Sequence, residues 1–300
     1  MRLLILGNAD SWHVQDLQRA AGESHHIDVL RFEQLAAWVG SSHPHTLVPA
    51  CDTTLPYDAV LVRTMPRGAL EQVVFRMDVL GHWAASGTLV LNPPRSLEVA
   101  IDKYLALERL AAAGMNVPKT YACQSWRQAM AAFEQLDGDA VVKPLFGSEG
   151  RGIARVSDPA LAERAFKMLE QLGAVIYVQQ FIGPHAMDVR LFVLGQTVWA
   201  MQRSNDADWR NNISRGGRGV PLAVTPSWRQ VALQAAASVG APMAGVDVLV
   251  DPDGQLYVIE INAVPGWKAL ARILEVDVAH HVLEFLEELG NESDRPTAKP

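Results

Sequence analysis

In LYVIEINAVPGW, residues 256–267, Leu256, Tyr257, Val258, Ile259 and Ile261 read as a strand suited to a protein interior, yet Glu260 and Asn262 interrupt it. Residues two apart in a strand share a face, so this carboxylate and amide point the same way. The run AGVDVLV places another acid, Asp247, on the other arm of a hairpin that turns at Pro252, Asp253 and Gly254. Three oxygen donors on rigid strands suit a hard divalent cation such as Mg²⁺ held together with phosphate groups. Register decides whether Asp247 joins the other two. A two- or four-residue loop puts it on the face of Glu260, and a three-residue Pro-Asp-Gly loop with a bulge puts it on the opposite face. A solvated polar face is the plainer alternative, but no run of charges surrounds Glu260.

A second group of residues points to the same chemistry. In DAVVKPLFGSEGRGI, residues 139–153, a strand-borne Lys143 leads into a loop holding Gly147, Gly150 and Gly152. Glycines let backbone N–H groups approach an anion closely, and the lysine adds a compact positive charge. The lysine precedes the glycines, so the spacing is neither the P-loop nor the dinucleotide fingerprint. A plain glycine-rich turn would explain the loop alone, but a phosphate-binding loop beside a divalent-cation site amounts to a nucleotide site. Further along, RSNDADWRNNISRGGRG, residues 203–219, gathers Arg203, Arg210, Arg215 and Arg218. Four planar guanidinium forks in a chain of net charge −7 imply anionic substrates or intermediates, against the plainer reading of a solvated loop. Arg63 and Arg67, in RTMPRG at the end of an expected parallel strand, are candidates for holding an acceptor.

These residues must be held by two kinds of framework. Through the first ninety positions, apolar runs at 2–6, 27–32, 57–63 and 88–91 alternate with helical stretches at 14–21 and 70–85, the pattern of a parallel α/β sheet. One helix is expected over 96–113, stopped by Gly114 and Pro118. Strands and helices then lead to VIYVQQFI, and from Asp188 the pattern changes to hairpins, one turning at Gly195 and Gln196 and one at Pro252–Gly254. The expected division is an N-terminal α/β domain over 1–94, a central lid subdomain over 95–182 carrying the glycine-rich loop, a C-terminal subdomain over 183–290 carrying the metal site, and a polar tail over 291–300.

The net charge and a pI near 5.7 argue against direct nucleic-acid binding and against anionic membranes. Cys51 and Cys123 stand too far apart in sequence to suggest a framework of disulfides or a metal pair, and no apolar run reaches membrane-spanning length, so a cytoplasmic location is expected.

Taken in order, IDKYLALERL, VVKPLFGSEGRGI, YVQQFI, DVRLFVLG, WRNNISRGG, AGVDVLV and VIEINAVPG resemble the ATP-grasp ligases, and within them the RimK-like glutamate ligases. The likeness covers nearly the whole chain. It implies an ATP-grasp fold: an N-terminal parallel-sheet domain, a small central lid and a C-terminal domain with a mixed or antiparallel sheet. It also implies Lys103 and Lys143 on the phosphates under the loop of Gly147, Gly150 and Gly152. The hinge of Gln179, Gln180 and Phe181 would offer backbone bonds to adenine, Asp188 would lie near the ribose, and Arg210, Asn211 and Asn212 near the nucleotide. Asp247, Glu260 and Asn262 would hold Mg²⁺ or Mn²⁺, with two ions expected, and Arg203, Arg215 and Lys143 would act on the reacting carboxylate or acylphosphate. Gln180 departs from the family pattern, which usually has an acid there. The expected activity is ATP-dependent amide formation through an acylphosphate, joining L-glutamate to an acceptor carboxylate: a protein C-terminus, a carrier protein or a cofactor precursor. Assembly as a homo-oligomer is expected. A non-catalytic ATP-binding protein and an ATP-grasp phosphotransferase are the rival readings.

Overall fold

A computed structural model of the chain describes residues 1–40, 43–49, 57–147, 150–183, 185–206, 208–211, 213 and 216–293. Contacts gather the chain into two units: residues 1–97, 241–243 and 264–300, and residues 98–240 with 244–263. Cys51, Asn212, Arg215 and positions 294–300 lie outside the described residues.

The first unit is built on a parallel sheet, whose inner strands are short apolar runs buried on both faces. Strands β1 (Arg2–Leu6), β2 (His26–Leu30), β5 (Ala59–Val62) and β6 (Leu89–Leu91) stand in the order β2-β1-β5-β6. Leu3 to Leu6 and Ala59 to Val62 are all fully buried. Helix α1 (Trp12–Ala21) starts where the Ser11 hydroxyl accepts the Val14 N–H, and it packs on α9 (Val278–Ser293). Helix α2 (Leu70–Ala85) has the expected bounds. A two-stranded antiparallel ribbon, β3 (Leu35–Gly40) with β4 (His43–Pro49), was not foreseen, and α9 continues into the segment expected as a tail.

The second unit holds two sheets, one antiparallel throughout and one built on antiparallel hairpins. In the first, β7 (Thr120–Cys123), β8 (Ala140–Lys143), β9 (Ala154–Val156) and β10 (Ile176–Gln180) stand in the order β7-β10-β8-β9. Alternation sorts its residues. Ala140, Val142, Ile176 and Val178 pack with Phe133 of α5 (Trp126–Gln135) and Phe166 of α6 (Pro159–Gln171), so Val141, Lys143, Tyr177 and Gln179 face the other way. The second sheet has the order β13-β12-β11-β14-β15, from β11 (Met187–Leu194), β12 (Thr197–Ser204), β13 (Arg218–Pro221), β14 (Met243–Val250) and β15 (Leu256–Asn262). Helix α7 (Pro226–Val239) packs on β11 and β12.

The helix expected over 96–113 is two: α3 (Pro94–Ile101) and α4 (Lys103–Ala112). The reason is local. The Asp102 carboxylate accepts the N–H groups of Tyr104 and Leu105, which makes Asp102 an N-cap and restarts the helix with Lys103 as its first residue. Among the described residues, no helix is long and apolar enough to cross a membrane.

Candidate active site

The Asp251 N–H donates to the Gln255 carbonyl, so the hairpin closes over Pro252, Asp253 and Gly254, the odd loop that would send Asp247 away from Glu260. The pairs Val250–Leu256, Leu249–Tyr257 and Val248–Val258 keep that register. Between Val248 and Asp247 the ladder shifts, Ile259 is left over, and Asp247 stands opposite Glu260, with Gly245 opposite Asn262. A one-residue bulge thus moves the acid to the other face. Asp247, Glu260 and Asn262 share one face of the sheet, and the set is all hard oxygen donors, which fits Mg²⁺ or Mn²⁺.

Asp247 is buried in a network of ions. Its Oδ1 accepts Arg190 Nη1 at 2.6 Å and lies 3.2 Å from Arg203 Nη2. Arg203 Nε and Nη2 also donate to Asp188 Oδ1, at 2.9 and 2.6 Å. Burial alone would keep Asp247 protonated, but the Arg190 and Arg203 guanidiniums outweigh it and hold the carboxyl below its ordinary range. At Asp188 burial wins over Arg203 and the pKa rises; the Asn211 side chain is a further hydrogen-bond donor to it. Arg190 was missed by sequence reasoning. Its signal was a charge two residues from Asp188 in the otherwise apolar run VRLFVL. Gly245 makes room for it: a Cβ there would lie 2.6 Å from the Arg190 Cζ.

The lysines approach from the other elements. Lys143, at the end of β8 on the face away from the helices, donates to Gln179 Oε1 at 2.6 Å, and Gln179 Nε2 donates to Thr120 Oγ1 at 3.0 Å. Burial lowers the Lys143 pKa to about 8, opposed by the nearby Glu260 and Asp247 and reinforced by Lys103. Lys103 donates to the Gly147 carbonyl at 2.5 Å and sits 3.7 Å from Glu260. It therefore joins the glycine-rich loop to the acidic strand. Gly147, Gly150 and Gly152 all have positive φ, and Gly147 and Gly152 lie against the Pro144 ring, so this loop runs through conformations that favour glycine.

The remaining expected residues are spread around this centre. Gln180 pairs with Lys119: its backbone N–H donates to the Lys119 carbonyl at 2.8 Å, and its Oε1 accepts the Lys119 N–H at 3.3 Å. The amide there accepts a bond, as an acid would, without the charge. The Phe181 ring is stacked by the Arg155 guanidinium at 3.8 Å and meets Trp209 edge-on. Arg210 is chelated by Asp208 and donates Nη1 to the Ile153 carbonyl at 3.0 Å, which ties the 205–211 loop to the chain beside the glycine-rich loop. Arg203 is only 7% exposed and two of its donor nitrogens serve carboxylates, so geometry favours a positioning role over direct contact with substrate.

The description of a RimK-like ATP-grasp domain matches residues 100–286. The chain is 32% identical to a tetrahydromethanopterin:alpha-L-glutamate ligase of Methanosarcina acetivorans, over 95% of this chain and 98% of the relative. It is 33% identical to a probable alpha-L-glutamate ligase of Mannheimia succiniciproducens, over 89% of this chain and 91% of that protein. Among solved structures, its fold is similar to the ATP-grasp ligase PsnB complexed with a phosphomimetic variant of its minimal precursor, Mg and ADP. The TM-score is 0.76 at 20% identity, over 96% of this chain and 98% of that one. A RimK domain protein of Sphaerobacter thermophilus gives a TM-score of 0.72 at 24% identity, over 95% and 99%.

Proposed function

Because the chain belongs to the RimK-like ATP-grasp family of ATP-dependent carbon–nitrogen ligases, we propose that it adds L-glutamate to an acceptor carboxylate through an acylphosphate. The observation that carries this reading is the bulge that brings Asp247 opposite Glu260, on a strand reached by Lys103.

In the proposed reaction an acceptor carboxylate oxygen attacks the γ-phosphorus of ATP and ADP leaves. The glutamate amine then attacks the acyl carbon, the C–O bond to phosphate breaks, and the amine gives up a proton as the amide forms. Phosphoryl transfer asks chiefly for alignment and neutralisation of charge. Lys143 and Lys103 bring positive charge to the phosphates, with Gln179 fixing the Lys143 ammonium and the Gly147–Gly152 loop offering backbone N–H groups. The backbone of Gln179 to Phe181 serves adenine, and Asp188, Arg210, Asn211 and Asn212 line the rest of the nucleotide. Asp247, Glu260 and Asn262 would hold two Mg²⁺ or Mn²⁺ ions, which when bound supply neutralising charge to the phosphate oxygens. Arg190 and Arg203 keep Asp247 ionised for that task. Arg215 is assigned to the carboxylate or acylphosphate. Closing the loop over the phosphates excludes water from an intermediate that hydrolysis would waste.

The acceptor is a protein C-terminus, a carrier protein or a cofactor precursor of the pterin or furan kind. The test incubates the protein with Mg²⁺, ATP, glutamate and each acceptor class, following ADP and acceptor mass. Acceptor-dependent ADP release with a glutamyl adduct is expected. A phosphorylated product without an amide would make it a phosphotransferase, and ADP release no faster than without acceptor would make it a nucleotide-binding protein.

A further inference from the structure

The first unit contains a group that the reaction above leaves unused. Arg63 follows directly on β5 and is 8% exposed. Its Nη2 donates to the Pro265 carbonyl at 2.8 Å, and its guanidinium lies 4.2 Å from the centre of the Trp267 ring. Its Nε and Nη1 are shielded from solvent and have no hydrogen-bond partner among the described residues. Buried donors of a charged group are normally satisfied, and two orphaned N–H groups on one guanidinium call for an oxyanion.

Its place in the fold says the same. The sheet order β2-β1-β5-β6 reverses direction between β1 and β5, and ligands of open parallel sheets bind beyond the carboxyl ends of strands at such a point. Gly7, just past β1, stands there beside Arg63; a Cβ on it would lie 3.3 Å from the Arg63 Cβ. The ten-residue helix α1 begins a few positions later, with the positive end of its dipole at this edge.

Charge at the rim is also positive. Lys268, exposed, lies 5.6 Å from the centre of the Trp12 ring, and Lys268 and Arg63 both disfavour a proton on His13. The His13 pKa falls to about 4, first through burial and then through Arg63, so the ring is neutral and its Nε2 accepts the Trp267 N–H at 3.1 Å. Asp16, the acid that favours a proton on His13, is already engaged by Arg19 and by the Trp267 indole N–H. Arg63 itself is lowered to about 9 by burial. An entering anion would relieve that penalty.

We propose that the first unit carries a carboxylate subsite at the carboxyl ends of β1 and β5, with Arg63 as its floor and Lys268 and the start of α1 as its rim. It anchors a carboxylate of a substrate that is not the one activated. The identity of that ligand rests on the ligase reading; the existence of an anion site does not.

The experiment is calorimetry on the full nucleotide-free chain with glutarate, its neutral diamide glutaramide, and inorganic phosphate as probes. Glutarate should bind, glutaramide should not, and phosphate should bind more weakly than glutarate. Arg63→Lys should weaken glutarate about tenfold by losing the planar fork, and Lys268→Met about fivefold, with ADP binding unchanged in both as the check on folding. Lys268 is exposed, so its variant decides the matter even if Arg63→Lys fails to fold. No glutarate binding, no weakening with either substitution, or phosphate preferred over glutarate would each overturn the proposal. Glutarate binding lost in these variants of a chain without acceptor-dependent ADP release would uphold the subsite and remove the ligase reading; the converse pattern would do the reverse.

Discussion

At the scale of single residues, the chemistry turns on charges held where water is scarce. Lys143 has its pKa lowered to about 8 by burial, so its ammonium is present below that pH and lost above it. A phosphate binds the charged form, which fixes the sign: affinity for ADP should be highest below pH 8 and fall about tenfold toward pH 9.5. Calorimetry on the wild type and on Lys143→Met checks this, since the variant should bind weakly with a flat profile. An unchanged slope in Lys143→Met would mean another group titrates. Lys143, Asp247 and Glu260 could be found from sequence because each is a lone charge in an apolar run. Arg190 stands in an apolar run as well, but its role could not be assigned from sequence, because it depends on β14, a strand more than fifty positions away, and on the space that Gly245 leaves.

At the scale of elements, the site depends on how strands are registered. Continuous apolar runs made β1 and β5 legible, helical periodicity α2, and turn residues both hairpins. They did not reveal the bulge at Ile259, because nothing in GQLYVIEIN marks which residue will be left over. The break at Asp102 was legible in principle, since an acid before Lys-Tyr-Leu is a good cap, but the surrounding apolar periodicity hid it. Packing beside the bulge is tight. Gly245→Ala would drive a methyl group into the Arg190 guanidinium and should cost about 1–3 kcal/mol of stability. Displacing Arg190 also removes a cation that keeps Asp247 ionised, so the variant should need more Mg²⁺ for turnover as well as melting earlier. Wild-type melting and Mg²⁺ dependence would show that Arg190 swings aside without cost.

At the scale of the whole molecule, a chain of net charge −7 concentrates Lys103, Lys143, Arg190 and Arg203 around a few acids in its second unit, an arrangement that under the proposed function would draw in a polyanion. The order of motifs along the sequence announced the ATP-grasp fold, since each motif sits on its own short element. The path of the chain between units was not legible: residues 241–243 and, among the described residues, 264–293 fall with the N-terminal sheet, and only long-range packing, such as α1 against α9, decides that. Under the proposed function, Asp247, Glu260 and Asn262 together hold a divalent ion against a nucleotide's phosphates. Electron paramagnetic resonance of Mn²⁺ titrated with protein and ADP measures it most directly, comparing the wild type with a folded Glu260→Gln variant. Nucleotide-dependent Mn²⁺ binding that drops by about 100-fold in the variant is the expected result. Equal Mn²⁺ binding in both proteins would contradict the account.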